Sequence, residues 1–321
     1  MGTDGLVGLA DIQAAAERVA PAVRRTPLLA TSLGAPGTPL FVKAENLQLG
    51  GSFKLRGAMN AVAQLSEAER ARGVITHSSG NHGQALARAA KAAGIAATVV
   101  MPHNSPSTKR VATEALGARV VLVDIADRAA AVERIRAATG AVFVPSFESS
   151  AVIAGQGTLG MEILADLPDV ATVVVAVSGG GLISGVSAAV RALSPTTRIV
   201  AVEPELAGDL AEGFFRGERV TWSTEQTGRT IADGLRVPAV GELNWRHIQA
   251  FVDTVVTVSE AAIRSAMRRI VVEEKLVCEP SGAVAVAGCL EHPEVLAAGS
   301  VAAVLSGGNV DPALLAEIVV G

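Results

Sequence analysis

The chain contains no tyrosine, and aromatic residues make up only 3% of its 321 positions. A core without aromatic bulk has to be built from Ala, Val, Leu and Ile, a palette suited to parallel strands covered by Ala-rich helices. There is no block of Lys or Arg and the net charge is −4, which argues against nucleic acid as the main partner. The two cysteines, Cys278 and Cys289, fit neither a disulfide framework nor a metal cluster and read as reduced core residues. Apolar runs are no longer than a strand, and Met1 to Asp11 lacks a basic stretch followed by an apolar one. The expectation is a soluble cytoplasmic protein with no membrane segment. No Pro/Ser-rich linker and no repeat divides the chain.

What is present points to a large α/β protein. Half of the residues are hydrophobic and 18% are charged, far from the composition of disordered chains. The length exceeds one compact core, so two domains or one large α/β unit are expected. Asp11 to Val23 has the spacing of an amphipathic helix stopped around Pro21, and Leu40 to Lys43 reads as a short strand. From Gly73 the pattern becomes apolar strand, small-residue loop and Ala-rich helix. Val74 to Thr76 precedes a helix from Gln84 to Ala93, Ala97 to Met101 a helix near Ser107 to Leu116, and Arg119 to Val123 a helix near Arg128 to Thr139. Three such units in succession imply right-handed crossovers and a parallel sheet. Ala141 to Pro145 begins a return path, Thr158 to Leu167 reads as a helix, and Thr172 to Val177 and Arg198 to Val202 as strands. Ala207 to Val240 is the least regular span and is expected to hold ordered loops. Phe251 to Val258 is then a strand, Glu260 to Glu273 and Pro280 to Leu290 helices, and Ser300 to Leu305 the last strand before a terminal helix.

Four segments could carry chemistry. In Gly50-Gly51-Ser52-Phe53-Lys54-Leu55-Arg56-Gly57-Ala58, a small-residue turn precedes a lysine at a helix start, with Leu55, Ala58, Met59 and Val62 forming an apolar face. A desolvated lysine sheds its proton more easily and can attack a carbonyl to form a Schiff base; the plain alternative is a lysine facing water. Three strand ends open into glycine-bearing loops, at Ser78 to Gly83, Ser178 to Leu182 and Ser306 to Val310, and in an open parallel sheet such loops can converge on one crevice. Gly179-Gly180-Gly181 followed by a helix is the best anion site, although it matches neither a lysine-bearing phosphate loop nor the GxGxxG spacing. Ser78-Ser79-Gly80-Asn81-His82-Gly83 offers hydroxyls, an amide and helix-start N–H groups to a carboxylate, and would otherwise be an N-cap. Ser306 could make one neutral hydrogen bond to a ring nitrogen. Glycine loops after strands also suit a nucleotide-binding oxidoreductase or a binding module without catalysis.

Gly51 to Ala58, Ser78 to Gln84, Ala154-Gly155-Gln156-Gly157-Thr158, Ser178 to Leu182 and Leu305-Ser306-Gly307-Gly308-Asn309 together resemble the pyridoxal-phosphate enzymes of fold type II, most of all the threonine/serine dehydratase and serine racemase family. The resemblance runs from about Arg25 to Asn309 with the motifs in family order. It implies two parallel-sheet α/β domains of the tryptophan synthase β-like architecture, a large discontinuous one at 1–64 and 151–321 and a small mobile one at 65–150 that closes over it. It implies that Lys54 carries pyridoxal 5'-phosphate as a Schiff base, Phe53 packs near the ring, and Asn81 bonds the phenolic oxygen. Ser178, Gly179, Gly180, Gly181 and Leu182 would hold the phosphate, and Ser306 would meet the pyridine nitrogen. The substrate would lie against Ser78, Ser79, Gly80, Asn81 and His82. The implied reaction is β-elimination from a hydroxy amino acid, L-threonine or L-serine first, giving a 2-oxo acid and ammonia, with Lys54 as the base. A homodimer acting on a small amino acid is the expected assembly.

Several positions bear on the choice of reaction. Ser79 matches the hydroxyl that serves the opposite cofactor face in serine racemases, which keeps two-sided proton exchange open. Val237 stands where the racemase pattern has a serine, and Leu49 where mammalian racemases have an ATP-linked lysine, so both depart from a nucleotide-activated racemase. Arg128 falls near a family arginine that reaches a second carboxylate, which leaves 3-hydroxyaspartate open; otherwise it is a solvated helix residue. Glu203, the Ala207 carbonyl and Asp209 match the divalent-cation site of the family, and such oxygen ligands suit Mg²⁺ or Ca²⁺. No ACT-like regulatory extension follows Asn309, in keeping with a catalytic-only form.

Overall fold

The computed structural model describes residues 5–78, 80–103, 105 and 107–320. Among them the strands are, in chain order, Leu28–Ala30 (β1), Leu40–Ala44 (β2), Val74–His77 (β3), Ala97–Pro102 (β4), Arg119–Val123 (β5), Val142–Phe143 (β6), Thr172–Ala176 (β7), Arg198–Pro204 (β8), Thr254–Val258 (β9) and Val301–Leu305 (β10). They form two sheets, β1-β2-β10-β7-β8-β9 and β5-β4-β3-β6. Every pairing is parallel except β1 with β2, which is antiparallel with Leu28 opposite Lys43. The two expected parallel-sheet units are thus present, with one antiparallel edge strand on the larger sheet. β1 has only three residues, directly after Pro27, too few to show a period of two.

In the larger sheet the central strands are covered on both faces, because side chains alternate across a strand. Val301, Ala303 and Leu305 of β10 join one core with Ile263, Met267 and Ile270 of the helix Glu260–Val272 and with the helix Pro280–Glu291. Ala302 and Val304 join the opposite core with Leu159 and Ile163, Ile183 and Val186, and Trp245 and Ile248. These come from the helices Ser150–Asp166, Gly181–Leu193 and Glu242–Phe251. The smaller sheet has two thinner cores, one around Val74, Val99, Met101 and Leu86 and one around Ile75, Val100, Ala131 and Val132.

The helix Ser150–Asp166 starts eight residues before the expected Thr158. Its glycines are packing positions. A Cβ on Gly155 would lie 2.7 Å from the Arg56 carbonyl, and one on Gly185 of the next helix 2.3 Å from the Ile153 carbonyl. The close contact welds this helix to Lys54–Ala63 and Gly181–Leu193. Beneath the weld, the buried Arg56 guanidinium bonds Glu45 and Glu162 at 2.8 and 2.7 Å, and Lys43 reaches Glu162 at 2.7 Å. The span expected to be irregular holds the helix Asp209–Arg216, and Glu242–Phe251 is helical where no element was expected.

Candidate active site

A cleft of about 390 Å³ opens between the two sheets at the carboxyl ends of β3, β7 and β10. Phe53, Lys54, Ser78, Gly80, Asn81, His82, Arg128, Ser306 and Ser178 through Leu182 all line it. The predicted cofactor and substrate residues among those described therefore converge, whereas Ala154 to Thr158 does not line the cleft and Ser79 lies outside the described residues.

Lys54 is brought there by a turn that only glycine makes easily. Gly50 and Gly51 have φ of +83° and +77°, and a Cβ on Gly51 would sit 2.4 Å from Asn309 Oδ1. The turn is stitched to the loop after β10 by Phe53 N–H donating to the Ser306 carbonyl at 3.1 Å and Gly308 N–H to the Gly51 carbonyl at 2.9 Å. Lys54 is then the first residue of its helix. Its Nζ lies 5.0 Å from the centre of the Phe53 ring and donates to the Ser146 carbonyl at 3.0 Å. Burial lowers the amine to about 8, against the opposing pull of the Glu279 carboxylate.

Asn81 begins the helix Asn81–Ala93 and is fixed from both ends of its amide. Nδ2 donates to Glu279 Oε1 at 2.6 Å, and Oδ1 accepts from Asn309 Nδ2 at 2.8 Å. Glu279 is buried, and burial together with the negative Asp233 raises its carboxyl to about 7. His82 is also buried, with Nε2 3.0 Å from the Val144 carbonyl, and burial beside Lys54 drops its pKa to about 3. It is a neutral histidine across the working range. Ser78 Oγ accepts from Gly80 N–H at 3.2 Å.

In the glycine loop, Gly180 has φ +90° and leads into the helix Gly181–Leu193. A Cβ on Gly179 or Gly181 would fall 2.4 or 2.9 Å from Phe147. Ser178 Oγ accepts from Val237 N–H at 3.3 Å, so the Val237 segment is tied to the loop. Ser306 is buried, and its hydroxyl donates to the Ser281 carbonyl at 3.4 Å. Arg128, half-buried, stands in the cleft wall beside His77, while its Nε turns back to the Ile125 carbonyl at 3.0 Å. Lys109 bonds Asp233 at 2.8 Å, joining the smaller sheet's side of the cleft to the larger's.

The expected cation ligands lie away from the cleft. Glu203 ends in β8, Ala207 is buried, and Asp209 starts its helix. Glu203 Oε2 accepts from Ala211 N–H at 2.9 Å, whereas Glu203 Oε1 and Asp209 Oδ2 are buried with no partner among the described residues. Burial pushes both carboxyls up, Asp209 to about 7. Two unpaired buried carboxylate oxygens on interacting acids fit a hard cation completed by water. Among the described residues no cluster of three or more His, Cys, Asp or Glu could hold a metal.

Sequence reasoning missed Glu279, Ser146, Phe147, Lys109, Asp233 and Asn244. An acid directly before Pro280 at a helix start was a signal for Glu279, but a helix cap reads the same way.

Residues 19–307 match the family described as pyridoxal-phosphate dependent enzyme. The L-threonine ammonia-lyase of Thermotoga maritima is 43% identical over 320 residues, covering 98% of this chain and 78% of that protein. The beta-hydroxyaspartate dehydratase of Paracoccus denitrificans is 39% identical over 305 residues, covering 94% and 96%. The structure of maize serine racemase superposes with a TM-score of 0.92 at 38% identity, over 97% of this chain and 96% of that one. With the convergent lysine and glycine loops, a match of this extent leaves one assignment: the chain belongs to the family of pyridoxal-phosphate dependent enzymes.

Proposed function

We propose that the protein is an ammonia-lyase that dehydrates a β-hydroxy amino acid, L-threonine or L-serine first, to a 2-oxo acid and ammonia. The observation that carries the reading is the Lys54 amine, half-buried in the cleft with its pKa lowered by desolvation to about 8, where it can serve as a base near neutrality. Held through Lys54, pyridoxal phosphate supplies an electron sink that acidifies the substrate Cα proton. The cradle suits that group. Phe53 offers a ring face, Asn81 an amide to the phenolic oxygen, and the glycine loop and its helix start N–H groups to the phosphate. Ser306 gives the pyridine nitrogen a neutral partner, which favours elimination over a long-lived carbanion.

Once the substrate amine has displaced it and freed its own amine, Lys54 takes the Cα proton, and Ser78, Gly80 and the helix start at Asn81 receive the substrate carboxylate. Ser79, by its place in the motif, would serve the opposite face. Val237 puts an apolar side chain where the racemase pattern has a serine, which supports dehydration over racemisation. Residues 65–150 act in this reading as a small unit closing on 1–64 and 151–321, within a cytoplasmic homodimer. Glu203, the Ala207 carbonyl and Asp209 would hold Mg²⁺ or Ca²⁺, a choice supported by the two unpaired carboxylate oxygens.

The test is a panel of L-serine, D-serine, L-threonine and L-threo-3-hydroxyaspartate, with oxo acid and enantiomer measured together for wild type and Ser79→Ala. Oxo acid should form fastest from L-threonine or L-serine, and Ser79→Ala should lose action on D-serine while keeping much of the L-activity. Racemisation outrunning oxo-acid formation would refute the reading. A second reading has its own observation: Arg128 lines the cleft, so preference for hydroxyaspartate would assign it to the distal carboxylate.

A further inference from the structure

The glycine loop is gripped from behind by a residue that does not line the cleft. Asn244 is fully buried in the helix Glu242–Phe251, and its Nδ2 donates to the Gly179 carbonyl. Gly241 N–H donates to the same carbonyl at 3.1 Å. A carbonyl oxygen has two lone pairs, and here both are engaged from one helix start. The helix start is itself held. Glu148 Oε1 accepts from Glu242 N–H at 2.6 Å, and a Cβ on Gly241 would lie 2.9 Å from the Glu148 side chain. Glu148 follows Phe147, the ring that leaves no room for side chains at Gly179 and Gly181. A Cβ on Gly180 would meet Asn244 Cβ at 2.8 Å. The loop is thus pressed between the Phe147 segment and the Asn244 helix.

In a trans peptide the carbonyl and the following N–H point in opposite directions. With the Gly179 carbonyl held back against the helix, the Gly180 N–H must face the other way, toward the cleft that Gly179 and Gly180 line. No hydrogen bond within the described residues uses the N–H of Gly180, Gly181 or Leu182. Asn244 Oδ1 has no partner among the described residues, so the donor edge of the amide is the one in use.

We propose that Asn244 is a positioning residue that sets the anion-binding orientation of the Gly179–Gly180 peptide, and so the preference of the site for a phosphorylated cofactor. This rests on the reading of the glycine loop as the phosphate site. Asn244 bonds the loop backbone and does not line the cleft with Lys54, so its loss should weaken phosphate recognition and leave Schiff-base formation at Lys54 intact.

The experiment strips the full-length protein of cofactor and titrates wild type, Asn244→Ala and the isosteric Asn244→Asp with pyridoxal phosphate and, separately, with pyridoxal. The absorbance of the lysine-linked chromophore reports each dissociation constant. Losing one bond to a buried carbonyl should weaken pyridoxal phosphate about tenfold and change pyridoxal less than about twofold, so the ratio of the two affinities falls. The ³¹P resonance of the reconstituted variants should move while the chromophore maximum stays in place. An unchanged ratio, or an equal loss of both ligands, would overturn the proposal and reduce Asn244 to a packing residue. A wild type that binds pyridoxal as tightly as its phosphate ester would instead overturn the assignment of the loop itself.

Discussion

The two walls of the cleft are built to different standards. The wall supplied by the six-stranded sheet rests on β7 and β10, whose residues are all buried, and its glycine loop is packed so tightly that each of Gly179, Gly180 and Gly181 lacks space for a Cβ. The wall supplied by the four-stranded sheet rests on smaller cores, its edge strand β5 has no buried residue, and a Cβ on Gly80 in its loop would meet no described residue within 4 Å. The lesson is one of division of labour. In the proposed function, the group that stays bound is held by backbone that cannot adjust, whereas the substrate that comes and goes meets a loop with room to move.

Alanine at the two kinds of glycine should separate the walls most sharply. Gly179→Ala forces a methyl into the Phe147 ring, at a cost of about 1–3 kcal/mol in stability together with weaker cofactor binding. Gly80→Ala should change stability by less than about 0.5 kcal/mol. Thermal melting with and without pyridoxal phosphate checks both, and equal effects would erase the contrast.

Divalent cation should act on the tight side. A cation at a hundred times its dissociation constant adds about 2.7 kcal/mol to the folded state, so chelation should lower the melting temperature and Asp209→Ala should abolish that response. A melting temperature indifferent to both would leave Glu203 and Asp209 as buried carboxyls with no cation between them.

Across the cleft, Glu279 raises the pKa of Lys54 by favouring its ammonium form. Removing that charge therefore lowers the lysine pKa, and the rise of activity with pH should shift to lower pH in Glu279→Gln. No shift would mean that the carboxyl is protonated in the working enzyme, and a shift upward would contradict the assigned direction of its influence on Lys54.

The smallest effect is expected where the walls meet. Lys109 and Asp233 are both partly exposed, so their ion pair is worth about 1 kcal/mol or less. Lys109→Ala should raise KM less than about fivefold, and added salt should narrow the difference from wild type. A larger change insensitive to salt would make Lys109 a substrate ligand.

Much of the cleft was legible in the sequence because its parts are local. A lysine after two glycines, a glycine triplet after a Val run and Ser78 to Gly83 before an Ala-rich helix each declare a backbone shape within a few residues, and all three meet in the cleft. Glu279, Phe147 and Asn244 were not legible, since their roles come from contacts made across the fold: Asn81 and Glu279 are 198 residues apart, and Asn244 lies 65 beyond Gly179. The early start of the helix Ser150–Asp166 was hidden for a related reason. Gly155 and Gly157 are poor helix formers alone and are kept for the close approach of Arg56 and Gly185. The antiparallel strand β1 is too short to announce itself at all.

The central claim is that one lysine both anchors the cofactor and does the chemistry, and it can be read covalently. Borohydride reduction of the purified holoprotein followed by tryptic peptide mapping should place the pyridoxyl group on Lys54. Blocked cleavage there would yield the peptide Ala44–Arg56 in place of two shorter ones. A pyridoxyl group on any other lysine, or on none in protein that carries the chromophore, would contradict the account.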